Sequence, residues 1–262
     1  MQSFRWHPAL AVALVTASVV TACETVPYTG RSQLQFMSPQ QESELGAQAY
    51  QQTLAKTKLS PDAATSEMVT RVGSRIAAVT GHPEYKWEYR LIQDDKQVNA
   101  FALPGGKVAV YTGILPITRD ENGLAAVLGH EIGHVIARHG GERVSQQMLV
   151  NVGLETTMAA LSRGNPATVQ AVASLLGAGA TVGVLLPWSR AQESEADHLG
   201  LILMAKAGYD PHAARDLWVR MAAASQGSGK PPEFLSTHPS EPTRIAQIEV
   251  WMPEAMQYYH PR

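Results

Sequence analysis

A single cysteine, Cys23, stands in the 262 residues, so no disulfide can form within the chain and none contributes to its fold. An excess of either charge is also missing. Lys and Arg number 21 against 23 Asp and Glu, a net charge of -2, which gives a nucleic-acid partner no compositional support. A mean hydropathy of -0.12 argues against a chain built of membrane spans. Neither a repeat period nor a low-complexity block is present. What remains is a globular composition, 45% hydrophobic and 17% charged, long enough for one well-packed domain or two small ones.

The N-terminus reads as an export leader. Arg5 and His7 precede an apolar stretch from Ala9 to Val20, which is the length of a signal-peptide core and short of the roughly 20 residues of a membrane span. It ends in Val20-Thr21-Ala22-Cys23. This resembles the lipobox of bacterial lipoproteins: a branched residue, two small residues, then the cysteine that receives the lipid. An ordinary signal peptide with an incidental cysteine is the plainer alternative. Glu24, where an Asp would favour retention in the inner membrane, leans toward the outer one. The expected organisation is a signal peptide over 1–22, a lipidated tether over 23–37 and one domain over 38–262, held in the periplasm by lipid on Cys23.

Along the mature chain, Tyr28 to Phe36 reads as polar tether. Ser38-Pro39 pairs an N-cap with proline at the first helical position and predicts a helix to about Lys56. Ser60-Pro61 repeats the signal for a second helix ending near Gly81. Strands are predicted at Trp87–Ile92, Val98–Leu103 and Lys107–Tyr111, with Pro104-Gly105-Gly106 turning between the last two. Asp120 can cap a long helix to Arg138, closed by Gly140-Gly141. Helical material continues from Glu142 to about Leu161. The apolar run Ala167 to Leu186 carries Gly177, Gly179 and Gly183, which favour a buried or membrane-touching helical hairpin over a span. Ser189 and Asp210-Pro211 open two further helices, to Gly208 and about Ala224. A Gly-, Ser- and Pro-rich loop then covers Ser225 to Ser240, and a last helix runs from about Glu241 to Met252.

The chemistry concentrates in His130-Glu131-Ile132-Gly133-His134. Each helical residue advances ~100°, so positions i and i+4 share a face and two imidazoles can grip one metal ion. Glu131, beside the first histidine, can reach a water that the metal activates and act as its general base. Catalytic zinc usually takes three protein ligands. His139 falls near a helix C-terminus, where a solvated or dipole-facing role is expected. The better third ligand lies in Ser189-Arg190-Ala191-Gln192-Glu193-Ser194-Glu195-Ala196-Asp197. Glu193 and Asp197 are four apart and share a face, so Glu193 can ligate while Asp197 accepts a hydrogen bond from the outer nitrogen of a ligand histidine. Glu195 points ~160° away and is expected in solvent. An acidic first helical turn favoured by the dipole is the bland alternative.

With Val98-Asn99-Ala100-Phe101-Ala102-Leu103-Pro104-Gly105-Gly106 and Ser236-Thr237-His238-Pro239-Ser240 followed by Arg244, these motifs resemble the gluzincin peptidases of the HtpX, Oma and CAAX-prenyl-protease family, in family order over roughly residues 25 to 250. The lipobox points to the family's periplasmic lipoprotein branch. The resemblance implies an α+β, mainly helical zincin-like fold, with a small sheet whose edge strand faces the cleft. It implies one Zn2+ per chain, held by His130, His134 and Glu193, with Glu131 as base and Asp197 behind the ligands. Asn99, Ala100, Phe101 and Ala102 would hold a peptide by strand addition, Arg244 would contact the site or be a surface Arg, and His238 would latch the metal, stabilise an oxyanion or simply sit in a loop. The function implied is an endopeptidase acting on misfolded or stalled envelope proteins. An outer-membrane assembly factor that cleaves rarely is the alternative.

Overall fold

The computed structural model describes residues 23–148, 189–227, 232–238 and 242–261. The leader and the run from 167 to 186 lie outside them. Among the described residues, no helix is long and apolar enough to cross a membrane.

The first helix, α1 (Pro39–Leu54), starts as its sequence requires: Ser38 caps it, Gln41 completes a capping box and proline takes the first turn. Helix α2 (Ala63–Ala77) starts later than Ser60-Pro61 suggests. The Ser60 N–H donates to the Leu91 carbonyl at 2.8 Å, which holds that residue against the sheet, and Asp62 becomes the cap by accepting from the Thr65 N–H at 3.1 Å. The strands β3 (Glu88–Ile92), β4 (Ala100–Leu103) and β5 (Lys107–Tyr111) form one sheet in the order β3-β5-β4. Central β5 is parallel to β3 and antiparallel to β4, so β4 is an edge. Its register pairs Ala102 with Val108 and Leu103 with Lys107 across the Pro104–Gly106 turn.

After a short helix, α3 (Leu115–Thr118), comes the central helix α4 (Glu121–Ile136). Asp120 caps it by accepting from the Gly123 N–H at 2.9 Å. Nearly every residue of α4 is buried, because α2, the sheet and the helix α6 (Arg190–Lys206) cover it from different sides. Val72, Val110, Leu128, Ile132 and Leu203 share one core across these elements, and each such side chain contributes about 1.5–3 kcal/mol by leaving water. The helices α7 (His212–Gly227) and α9 (Pro242–Met256) close the far side. Within the stretch expected as loop, Glu233–Thr237 forms a short helix, α8.

The end of α4 differs from expectation. Helix geometry stops at Ile136, and the left-handed backbone position falls on Arg138, φ 56°, not on a glycine. The chain then re-enters a helix, α5, described over residues 139–148, with Gly140 and Gly141 inside it. Carbonyls at the break are met from residues 23–37, which do not hang free as a tether. Strands β1 (Cys23–Thr25) and β2 (Ser32–Leu34) pair as an antiparallel hairpin, and buried Gln33 and Gln35 donate to the Ala137 and Arg138 carbonyls at 2.9 and 3.0 Å. Arg138 in turn pairs with Glu24 and Glu42, and Val26 packs on Ala137 and Leu199. The hairpin straps the α4–α5 break because buried polar groups there need partners.

Candidate active site

Two helices cross in backbone contact to build the site. A side chain at Gly200 would come within 2.7 Å of the Gly129 carbonyl carbon, and one at Gly133 within 2.8 Å of the Ala196 carbonyl oxygen. With nothing larger than hydrogen between them, α4 and α6 approach closely enough for Glu193 and Asp197 to reach the His130–His134 face. His130, Glu131, His134, Glu193, Asp197, His238 and Arg244 are all buried there.

Four donor atoms converge. His130 Nε2 lies 3.1 Å from both His134 Nε2 and His238 Nδ1, while Glu193 Oε1 lies 3.3 Å from His134 Nε2 and 2.9 Å from His238 Nδ1. Tetrahedral donors ~2.0–2.1 Å from a zinc ion stand about 3.3 Å apart, so the spacing and the donor types fit one zinc. Lone pairs of neutral imidazoles and a carboxylate at this separation repel one another unless a cation lies among them.

The outer atoms are also engaged. His130 Nδ1 meets Asp197 Oδ1 at 2.9 Å, the carboxylate–histidine contact expected from the i, i+4 spacing. Arg244 is no surface residue: its guanidinium donates to both Asp197 oxygens and to Glu193 Oε2, and stacks 3.4 Å from the centre of the Trp218 ring. Burial works against the Glu193 charge, but its close contacts with His134, His238 and His130 outweigh it and hold the carboxyl below its ordinary range. For His134 burial prevails and disfavours the protonated ring.

Glu131 faces the edge strand. Its Oε2 accepts from the Ala102 N–H at 3.2 Å, whereas buried Oε1 has no hydrogen-bond partner among the described residues. His238 Nε2 lies 3.3 Å from that oxygen without hydrogen-bond geometry. Burial pushes the Glu131 carboxyl up to about 8. The His238 segment is tied to the same strand region, because the Phe234 N–H donates to the Val98 carbonyl at 2.9 Å. Asn99 uses its side-chain oxygen to accept from the Ala100 N–H, and the Phe101 ring packs near Tyr50 and Tyr111. Of the strand residues, Ala102 alone touches the catalytic cluster through a hydrogen bond among the described contacts.

Residues 63–252 match peptidase family M48. The chain belongs to that family. It is similar to the mitochondrial metalloendopeptidase OMA1 of Schizosaccharomyces pombe, 40% identical over 255 residues, covering 96% of this chain and 73% of that protein. It is also similar to human OMA1, at 32% identity, 90% of this chain and 47% of the relative. The beta-barrel assembly-enhancing protease of Yersinia pestis is 30% identical, over 88% of this chain and 48% of that protein. The chain therefore spans about half the length of several curated relatives it matches. It is a zinc metallopeptidase of the M48 type, with the mainly helical α+β fold that its motifs imply.

Two expectations are overturned nearby. His139 is fully buried, not solvated, with Nδ1 2.9 Å from His134 Nδ1 and Nε2 3.1 Å from Glu195 Oε2. Glu195 is likewise buried and not in solvent. On an isolated helix both point away from the metal face, but the N-terminal hairpin covers that side. Burial lowers His139, whereas Glu195 stays below the ordinary carboxylate range because hydrogen bonds from His139, Thr29 and Arg31 outweigh its burial.

Proposed function

We propose that the protein is a lipid-anchored endopeptidase of the bacterial envelope that hydrolyses peptide bonds in misfolded or stalled proteins. In this reading His130, His134 and Glu193 hold the zinc. Bound there, the ion would supply Lewis acidity toward the attacking water and the scissile carbonyl. Glu131 takes the proton of that water as general base and returns it to the leaving amine. Burial raises this carboxyl to about 8, and a cation held by the neighbouring ligands would favour its charged, basic form. Asp197 fixes the His130 ring through Nδ1, and Arg244 balances the two carboxylates. A peptide added along the free edge of β4 would lie against Glu131, as the Ala102 contact with that carboxylate suggests.

The observation that carries the catalytic part is the Glu131 carboxylate. One oxygen is held by the edge strand and the other is buried without a hydrogen-bond partner among the described residues, beside four converging groups that could hold a metal. The envelope assignment rests on Val20-Thr21-Ala22-Cys23 and on the similarity to a beta-barrel assembly-enhancing protease. Higher identity to mitochondrial OMA1 speaks for the peptidase chemistry and carries no lipobox argument. A second reading, an assembly factor for outer-membrane proteins that cleaves rarely, draws on the name of the same Yersinia relative. The two separate on an unfolded protein substrate. We expect zinc-loaded protein to cleave it, chelation to stop cleavage and zinc to restore it. Binding without cleavage at any zinc level would favour the assembly role.

A further inference from the structure

We propose that His139 and Arg31 are positioning residues for the zinc ligand His134, acting through Glu195, so that the N-terminal hairpin is part of the metal site's support. The inference rests on reading His134 as a zinc ligand.

Hydrogen-bond chemistry fixes the direction of the chain. A histidine that gives its Nε2 lone pair to a metal is neutral and carries its proton on Nδ1. His134 Nδ1 must then donate, and the atom it meets is His139 Nδ1 at 2.9 Å. His139 therefore accepts on Nδ1 and carries its own proton on Nε2, which donates to Glu195 Oε2 at 3.1 Å. That carboxylate is held from the hairpin. Arg31 Nε donates to Oε2 at 2.8 Å and Thr29 Oγ1 to Oε1 at 2.7 Å. The remaining Arg31 nitrogens form a two-pronged pair with Glu142 at 2.7 and 2.8 Å, and Gln192 donates to the same carboxylate at 2.8 Å. Between the two rings and Glu195 each hydrogen bond has one donor and one acceptor, and only one tautomer of each ring satisfies the chain.

The arrangement mirrors the support of the other ligand. His130 is held by Asp197 and Asp197 by Arg244, while His134 is held by His139, then Glu195, then Arg31. Both lines run from imidazole to carboxylate to guanidinium, and the second carries one extra neutral ring. Asp197 and Arg244 come from α6 and α9, close to the metal donors. Arg31 comes from the strap, separated from Glu195 by 164 positions, so the orientation of His134 depends on the strap staying docked. A purely structural staple would hold the hairpin equally well without touching the ring of a metal ligand.

The test is zinc affinity by chelator competition, together with the absorption spectrum of the cobalt-substituted protein, for wild type, His139→Leu, His139→Gln and Arg31→Met. Loss of such outer contacts weakens metal binding ~10- to 100-fold. We expect that range for His139→Leu, and about its lower end for Arg31→Met, with altered cobalt bands in both. Gln can accept and donate as the imidazole does, so His139→Gln should recover most of the affinity. If His139→Leu fails to fold, Glu195→Gln takes its place with the same expected weakening. Wild-type zinc affinity in a folded His139→Leu or Arg31→Met protein overturns the proposal. So does equal weakening by Leu and Gln, which would make the contact one of packing. A wild-type protein that binds no zinc at all would defeat the metal reading itself, and this inference with it.

Discussion

At His130 the two ring nitrogens do different work: Nε2 turns toward the other metal donors and Nδ1 toward Asp197. That division is legible in the sequence, because i, i+4 spacing within α4 and again within α6 puts His130 with His134 and Glu193 with Asp197 on single faces. His139 and Glu195 are not legible in the same way. They sit five residues after His134 and two after Glu193, positions that a helix alone turns away from the metal. Only the strap, distant in sequence, converts them into buried partners. His238 is a further case. Its motif marked it, but a loop was expected where α8 forms, and the short helix delivers Nδ1 to the donor set. Were His238 to join His130, His134 and Glu193 on one zinc, it would take the position that an attacking water needs. We therefore expect His238→Ala to raise basal cleavage of an unfolded substrate. A fall of ~10²-fold or more would instead assign His238 to stabilising the oxyanion.

Among the elements, the α4–α6 crossing sets the distances that the chemistry needs. The capping signals at Ser38, Asp120 and Ser189 place the starts of α1, α4 and α6 to within a residue, because a side chain that satisfies an orphan N–H acts locally. Helix ends are less readable. Residue Arg138, not Gly140 or Gly141, takes the left-handed position, since its guanidinium is drawn to Glu42 and Glu24. The crossing itself is hidden in the sequence: Gly129, Gly133 and Gly200 look like ordinary helix-weakening glycines until the second helix is laid against the first. Gly200→Ala would force its new carbon against the Gly129 backbone. Expected is a destabilisation of ~1–3 kcal/mol, the usual cost of overpacking, with weaker zinc binding as the ligands separate. Denaturant unfolding with and without zinc measures both, and wild-type stability would show that the crossing has slack.

For the whole molecule, length and composition allow one well-packed domain or two small ones, and among the described residues the helices and the three-stranded sheet share one principal core. The misread part is the N-terminal segment. Polar residues such as Gln33, Gln35 and Arg31 look like tether because nothing in their own sequence announces the carbonyls and carboxylates they meet. If Cys23 carries lipid, anchor and strap are continuous, and the strap begins at the lipidated residue. We expect Cys23→Ala to release the protein from membranes into the soluble fraction, since a multiply acylated cysteine holds firmly where a single chain is marginal. Persistent membrane association of that variant would point to another anchor.

The most direct test of the account compares wild type with Glu131→Gln for both zinc content and cleavage of an unfolded protein. The substitution keeps the shape of the side chain and removes the base. Both proteins should hold one zinc, while the variant should cleave at least ~10²-fold more slowly, the lower end of what a general base contributes. Cleavage by Glu131→Gln at near the wild-type rate would contradict the account.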